Sequence, residues 1–210
     1  MTSDIAALAS PFATGFAIGG GLIIAIGAQN AFLLRQGLLK QHVLPLVLFC
    51  AISDALLIIA GVAGLGALVE RNPVLLKVTA IGGALFLAWY GLKAFRRAWT
   101  VQSLELATEA APSLARALSM CAAFTWANPH VYLDTVVLVG SLAAPYQGAE
   151  RSAYAAGAST ASFVWFFSLG YGARLLVPLF QKPRTWKILD LGIAAVMWLI
   201  AAKLIHSLWN

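Results

Sequence analysis

Two acidic residues, Asp54 and Asp134, stand inside long apolar stretches of this sequence. A carboxylate in hydrocarbon is costly, so it faces the interior of a helix bundle and has a partner or a task. Asp54 sits near the centre of the stretch Val43–Val69, which contains no basic residue, and Ser53 beside it is counted with the site. Gly61 and Gly64 follow seven and ten residues later, close to the same helical face, and are expected to leave a groove next to the acid. Asp134 follows His130 by four residues, so on one helix face the two side chains can share a proton. Asp54, Asp134 and His130 are therefore the candidates for holding a cation and for coupling its movement to a proton. The bland alternative is a set of structural polar groups, each bonded to a neighbouring helix.

Two breaks in the apolar pattern accompany these residues. In Thr125-Trp126-Ala127-Asn128-Pro129-His130, Asn can cap free N–H groups and Pro suits a first helical position, which predicts a helix beginning at Pro129. If that start lies within the membrane, its N–H groups and partial positive charge suit a carboxylate; a kink satisfied by neighbouring helices is the alternative. In Gly27-Ala28-Gln29-Asn30, a flexible glycine precedes two amides that hydrocarbon would penalise if unpaired. Gln29 and Asn30 either cap unwound backbone beside a ligand or hydrogen-bond between helices. Trp165, deep in its stretch and following Ser159 and Ser162 at helical spacing, offers a ring face to a cationic group, or simply packs. Gln29, Asn30, Ser53, Asn128 and Trp165 thus join the acids and His130 as candidate binding residues, with Gly27 and Pro129 marking the helix breaks. Asp190, within reach of Lys187 and Arg184, is expected to form a surface ion pair.

The elements that must position these residues follow from composition. Of 210 residues, 61% are hydrophobic and 10% charged, against roughly a quarter charged in soluble domains. Stretches of the roughly 20 residues needed to cross a bilayer fall near 12–34, 43–69, 74–95, 118–143, 153–179 and 186–208. They predict an all-α membrane protein of six transmembrane helices, the first and fourth interrupted, in one domain over 1–210. The first stretch lacks a basic n-region, carries Asp4 and is read as a retained span. The net charge of +6 comes largely from Arg35, Lys40, Lys93, Arg96, Arg97, Arg116, Lys182, Arg184 and Lys187, which the loop pattern places on the inner side. That puts both termini outside and removes the need for a nucleic-acid partner. Most tryptophans, such as Trp99, Trp186 and Trp209, lie near span ends as interfacial anchors against lipid.

Shifting the chain by 110 residues lays Cys50–Phe95 over Thr160–Ile205, matching Pro73 with Pro183, Gly82 with Gly192 and Lys93 with Lys203. A shift of 98 lays Asn30 over Asn128. Repeats near 12–95 and 116–208, each of three spans, are necessarily inverted relative to one another, the plan of many secondary transporters. Cys50 and Cys121 show no metal-ligand or CxxC spacing and are read as buried hydrophobes; no metal or cofactor is expected. A transmembrane thiol carrier would need cysteines at repeat-related positions, and Cys50 aligns with Thr160. A hydrolase lacks a nucleophile elbow or an HExxH motif. Gly15 and Gly19 form a GxxxG compatible with a homodimer.

The segments Ile26-Gly27-Ala28-Gln29-Asn30-Ala31-Phe32, Cys50-Ala51-Ile52-Ser53-Asp54, Trp89-Tyr90-Gly91 and Trp126-Ala127-Asn128-Pro129-His130-Val131-Tyr132-Leu133-Asp134 together resemble the lysine/arginine exporter family, its arginine-exporter branch most closely. The resemblance implies efflux of L-arginine, with L-lysine or analogues such as canavanine, across a bacterial inner membrane, and functional roles for the acids matching Asp54 and Asp134. The sequence departs from that pattern at Ala28, where relatives commonly carry Pro, so the first break is less strongly dictated here. The residues agree with a cationic amino acid as the small-molecule partner: acids for the amine and cationic side chain, a helix start for the carboxylate. Export of a neutral amino acid or a metal cation are the competing transport readings, and proton antiport is the expected coupling.

Overall fold

A computed structural model describes residues 2–24, 27–66, 73–100 and 112–207, and among these all regular structure is helical. Helix α1 (Thr2–Ile23) is followed by α2 (Ala28–Leu39), and the two meet at an angle of 80°. Helix α3 (Val43–Ala60) runs on through a π-helical segment, Gly61–Leu65, in which Gly64 takes a left-handed φ of 97° that a side chain would resist. Helix α4 (Pro73–Thr100) precedes α5 (Leu114–Trp126). After Ala127 and Asn128 the chain resumes as α6 (Pro129–Val131), a π-helical stretch Tyr132–Leu138 and α7 (Val139–Leu142). Helix α8 (Gly148–Leu176) ends in the 3-10 turn Val177–Gln181, and α9 (Pro183–His206) closes the described chain.

Four of these helical runs are long and apolar enough to cross a membrane: Val43–Leu65, Lys77–Trp99, Gly148–Gln181 and Pro183–His206. The bent pair Ala7–Ile23 and Ala28–Leu39 makes a fifth if counted as one broken span. The expected stretch at 118–143 is not one continuous helix, because Pro129 cannot donate to the preceding turn and the chain re-starts there. Both expected interruptions are therefore present as breaks, one at Gly27 and one at Asn128–Pro129. Of the sequence landmarks, Ile26 and Trp209 lie outside the described residues.

Small residues set how the long helices meet. A Cβ on Gly15 would run into the Tyr154 carbonyl, one on Gly157 into the Phe12 carbonyl, and Gly19 faces Ala158, so α1 and α8 run parallel in close contact. The GxxxG of α1 is thus used inside the protomer. Helices α4 and α9 run antiparallel, Gly91 receiving the Trp198 indole and Gly83 packing on the Ala127 carbonyl and Leu204. Helices α3 and α8 are also antiparallel, with Val43 and Val47 against Gly170 and Asp54 against Ser162. Gly61 does not open a groove beside Asp54 as its spacing suggested: its face is filled by Val136, while Gly140 sits on the Gly61 backbone. The seven-residue offset predicted the right helical face but not the helix that occupies it.

The core between these contacts is aliphatic and aromatic, with Phe32, Leu33, Leu46, Val47, Phe124 and Met197 essentially buried. Cys50 and Cys121 are buried there as expected, but they also touch, their Sγ atoms 3.1 Å apart across α3 and α5. Trp186 is buried rather than interfacial, donating its indole N–H to the Phe180 carbonyl at 2.8 Å beneath the Arg35 guanidinium.

Asp190 overturns its expected surface role. It is 1% exposed, and its Oδ1 accepts from Arg97 Nη2 at 3.1 Å and Arg35 Nε at 3.4 Å. Lys187 instead lies over the Trp99 ring, 3.5 Å from its centroid. Nearest-in-sequence reasoning selected Lys187 and Arg184, whereas the bundle delivers arginines from two other helices. The cluster ties the far end of α2 to the C-terminal end of α4 and the N-terminal end of α9.

Two predictions follow from this packing. Gly157→Ala and Gly61→Ala each lower unfolding stability in detergent by about 1–3 kcal/mol, because the added methyl meets backbone. Gly172→Ala, with nothing within 4 Å of the added atom, changes it by less than about 0.5 kcal/mol. Equal effects at all three positions would contradict the packing scheme. Asp190→Ala removes the buried acid that Arg97 and Arg35 share and is expected to cost about 3–5 kcal/mol, read from thermal or denaturant unfolding in micelles; a cost under about 1 kcal/mol would show the cluster to be solvated.

Candidate functional site

The two helix breaks face each other, and the backbone groups they free are largely satisfied locally. At the first break the Asn30 side-chain N–H₂ donates to the Ile23 carbonyl at 2.7 Å, closing the end of α1. Gly27 has no side chain with which to cap α2, whose first turn therefore starts uncapped by any side chain. At the second break the Asn128 side-chain oxygen accepts from His130 N–H at 3.1 Å, and Tyr132 Oη donates to the Trp126 carbonyl at 2.7 Å. The Asn-Pro order thus performs the capping its chemistry suggests. The same bonds leave little for a ligand at that helix start. Pro129 has no N–H, His130 N–H is taken by Asn128, and Val131 N–H reaches the Asn128 carbonyl at 3.1 Å. The expectation of a carboxylate seated on the Pro129 start is not supported by donors that are already engaged.

Between the breaks lies a cavity of about 270 Å³. The end of α1 from Gly19 to Ile23 and the first turn of α2 form one wall, and Asn128, His130, Val131 and Asp134 form another. Helix α3 contributes Asp54 and Ile58, α5 Phe124, α8 Ser162 and Phe166, and α9 Ile200 and Lys203. Residues far apart in the chain are thus brought to one space: Gly27, Gln29, Asn30, Asp54, Asn128, His130 and Asp134.

Their environments differ. Asp54 is half-buried and accepts a hydrogen bond from the Ser162 hydroxyl, which also contacts the Ala158 carbonyl at 3.4 Å. Asp134, within the π-helical stretch Tyr132–Leu138, is exposed rather than buried. His130 and Asp134 share the cavity wall without a hydrogen bond between them, and His130 Nε2 is buried with no partner. Gln29 Nε2 is likewise buried and unpartnered at the cavity wall. Both atoms belong to residues of the cavity wall but are covered by their neighbours, an unusual state for buried polar groups, which are normally hydrogen-bonded.

Two expected residues do not line this space. Ser53 is buried and receives the Trp126 indole N–H at 3.3 Å, so it braces α5 against α3 beside the second break. Trp165 packs against the main core with its Nε1 buried and unpartnered. On α8 the cavity side belongs to Ser162 and Phe166, and Trp165 is one residue too far around the helix. Ser162 and Lys203 are the residues that sequence reasoning passed over. The spacing of Ser162 from Trp165 placed it on the right helix, but the antiparallel register of α3 and α8 decides that it meets Asp54. Lys203 enters the sequence pattern only as the repeat equivalent of Lys93.

One end of the cavity is closed. Phe124, on its wall, meets Tyr90 edge-to-face at 4.9 Å and packs tilted against Phe86 at 4.9 Å and Phe32 at 5.3 Å between ring centroids. Beyond this aromatic layer lies the Arg35–Asp190–Arg97 cluster, with the Arg97 guanidinium 5.6 Å from the Tyr90 ring centre. Along α9, Asp190 and Lys203 are about 20 Å apart at 1.5 Å per residue, so cavity and cluster occupy different depths.

Comparison with known proteins is consistent with this architecture. The arginine exporter protein ArgO of Pectobacterium carotovorum is 39% identical over 200 residues, covering 95% of this chain and 98% of the relative. The corresponding protein of Klebsiella pneumoniae is 41% identical over 192 residues, 90% of each chain. A putative amino-acid transporter of Mycobacterium bovis is 46% identical over 176 residues, covering 84% of this chain and 87% of that one. No solved structure matches. Residues 21–208 match the family model described as LysE type translocator, which spans both breaks and every cavity-lining segment after Gly19, and the chain belongs to that family of multi-pass membrane translocators.

Proposed function

We propose that this protein exports a cationic amino acid, L-arginine first, across a bacterial inner membrane, and that the cavity between the two helix breaks is its binding site. The observation that carries the proposal is that Asp54 and Asp134 line one cavity together with both break segments. Arginine and lysine carry two positive groups and one carboxylate, and two acids at separate points of a cavity match the two positive groups. The names of the relatives point to the same substrate class. A neutral amino acid would leave one of the two acids without a charged partner, which favours the cation.

Alternating access is supplied in this reading by six crossings arranged as two inverted halves of three. The antiparallel pairing of α4 with α9 supports it, since Ala88 and Trp198, equivalent under the shift of 110, touch through the Trp198 indole N–H at 3.3 Å. Both termini lie outside, so the Lys203 end of the cavity faces out and the aromatic layer with Asp190 forms the inner closure. The loop charges support this orientation.

Expelling a cation against an interior-negative potential costs about 2.3 kcal/mol per 100 mV for each charge. Exchange for one incoming proton cancels that charge movement and draws on the proton gradient. Asp54 and Asp134 are the groups that take the proton, with His130 alongside. Protonation of an acid outside releases the cation, and deprotonation inside restores the site.

In proteoliposomes, Asp54→Asn is expected to reduce arginine counterflow at least about 100-fold, and Asp134→Asn about 10-fold or more, the larger loss falling on the less exposed acid. Unchanged counterflow in Asp54→Asn would remove the cavity as the site. With the membrane potential clamped, acid outside arginine-loaded vesicles accelerates arginine loss; the same rate with and without the pH gradient would refute proton antiport while leaving arginine export standing.

A further inference from the structure

Lys203 is a cation on the wall of a cavity that we assign to a cation, and its position calls for a role. It lies one helical turn beyond Ile200 on the cavity face of α9, in the same space as Asp54, Asp134 and the unpartnered Gln29 amide. Its environment differs from that of comparable lysines. Lys93, its equivalent under the shift of 110, sits 4.0 Å from the Trp89 ring centre, and Lys187 sits 3.5 Å from that of Trp99. Among the described residues Lys203 takes part in no ion pair, with either cavity acid or with any other.

We infer that Lys203 is the carboxylate-recognising residue of the binding site, and that it makes the cavity select an intact amino acid over the corresponding amine. The argument is one of charge matching and rests on the cationic amino-acid reading above. With both acids ionised the cavity carries two negative charges and one positive charge; arginine carries two positive charges and one negative. The bound complex is then neutral, with every charge facing an opposite one, the condition under which charges leave water at least cost. The alternative seat for the carboxylate, the Pro129 helix start, has its first N–H groups engaged by Asn128. A lysine placed only to neutralise an acid would lie in an ion pair with it, and Lys203 does not.

Decarboxylated arginine, agmatine, isolates this contact because it keeps both cationic groups and lacks only the carboxylate. Transport of each compound is measured in proteoliposomes for the full chain, Lys203→Gln and Lys203→Arg. The wild type is expected to prefer arginine over agmatine. Lys203→Gln raises KM for arginine about tenfold or more while moving that for agmatine less than about twofold or lowering it, and Lys203→Arg keeps arginine transport within about threefold. Equal losses for both compounds in Lys203→Gln would make the residue structural, and an unchanged KM for arginine would remove it from the site. Either result overturns the inference with arginine export intact. A wild type that carries no arginine would overturn the export reading itself, and this inference with it.

Discussion

A carboxylate placed at mid-membrane depth constrains everything around it. Asp54 stands halfway along α3, and the chain around it provides a hydroxyl from Ser162, an open space in front, and no cation in direct contact. Two helices are broken where they border that space. Each break exposes backbone groups that hydrocarbon would penalise, and each is repaired by an asparagine: Asn30 closing the carbonyl end of α1, Asn128 capping the start of α6. The breaks, the caps and the acid form one solution to one problem, which is how to hold water-like chemistry in oil without unravelling the bundle.

The close helix contacts serve the same end. Glycines along α1, α8 and the end of α3 let backbones approach to where side chains would clash, as apolar helices in lipid gain from dispersion and fit rather than from leaving water. That tightness confines the open volume to the place where the breaks meet. The aromatic layer and the Asp190 cluster then close one end. Closure on one side and access on the other is what a translocator requires, and the buried ion cluster suits a closure that forms and separates as a unit, because its arginines and acid come from three different helices.

Much of this was legible in the sequence. Asp54, the Asn-Pro break and the glycine-amide segment are rule-breaking residues in hydrocarbon, and such residues are visible without a structure because the bilayer penalises them heavily. What could not be read was the register between helices. Asp190 finds Arg97 and Arg35 rather than its chain neighbours, Gly61 is filled by Val136, Asp134 is exposed, and Ser162 rather than Trp165 reaches the cavity. Helical periodicity gives the face of a residue but not the partner opposite it. The contact of Cys50 with Cys121 belongs to the same class, since it depends on how α5 docks against α3.

The central claim is that substrate occupies the space between the two breaks. A single cysteine at Thr135, on the cavity wall, in a chain with Cys50 and Cys121 replaced by alanine, reports occupancy through its rate of reaction with a polar thiol reagent. The account predicts that L-arginine slows the labelling, with half-maximal protection near the concentration that half-saturates transport. Labelling that proceeds at the same rate in saturating arginine, in protein that still transports it, would place the substrate elsewhere and contradict the account.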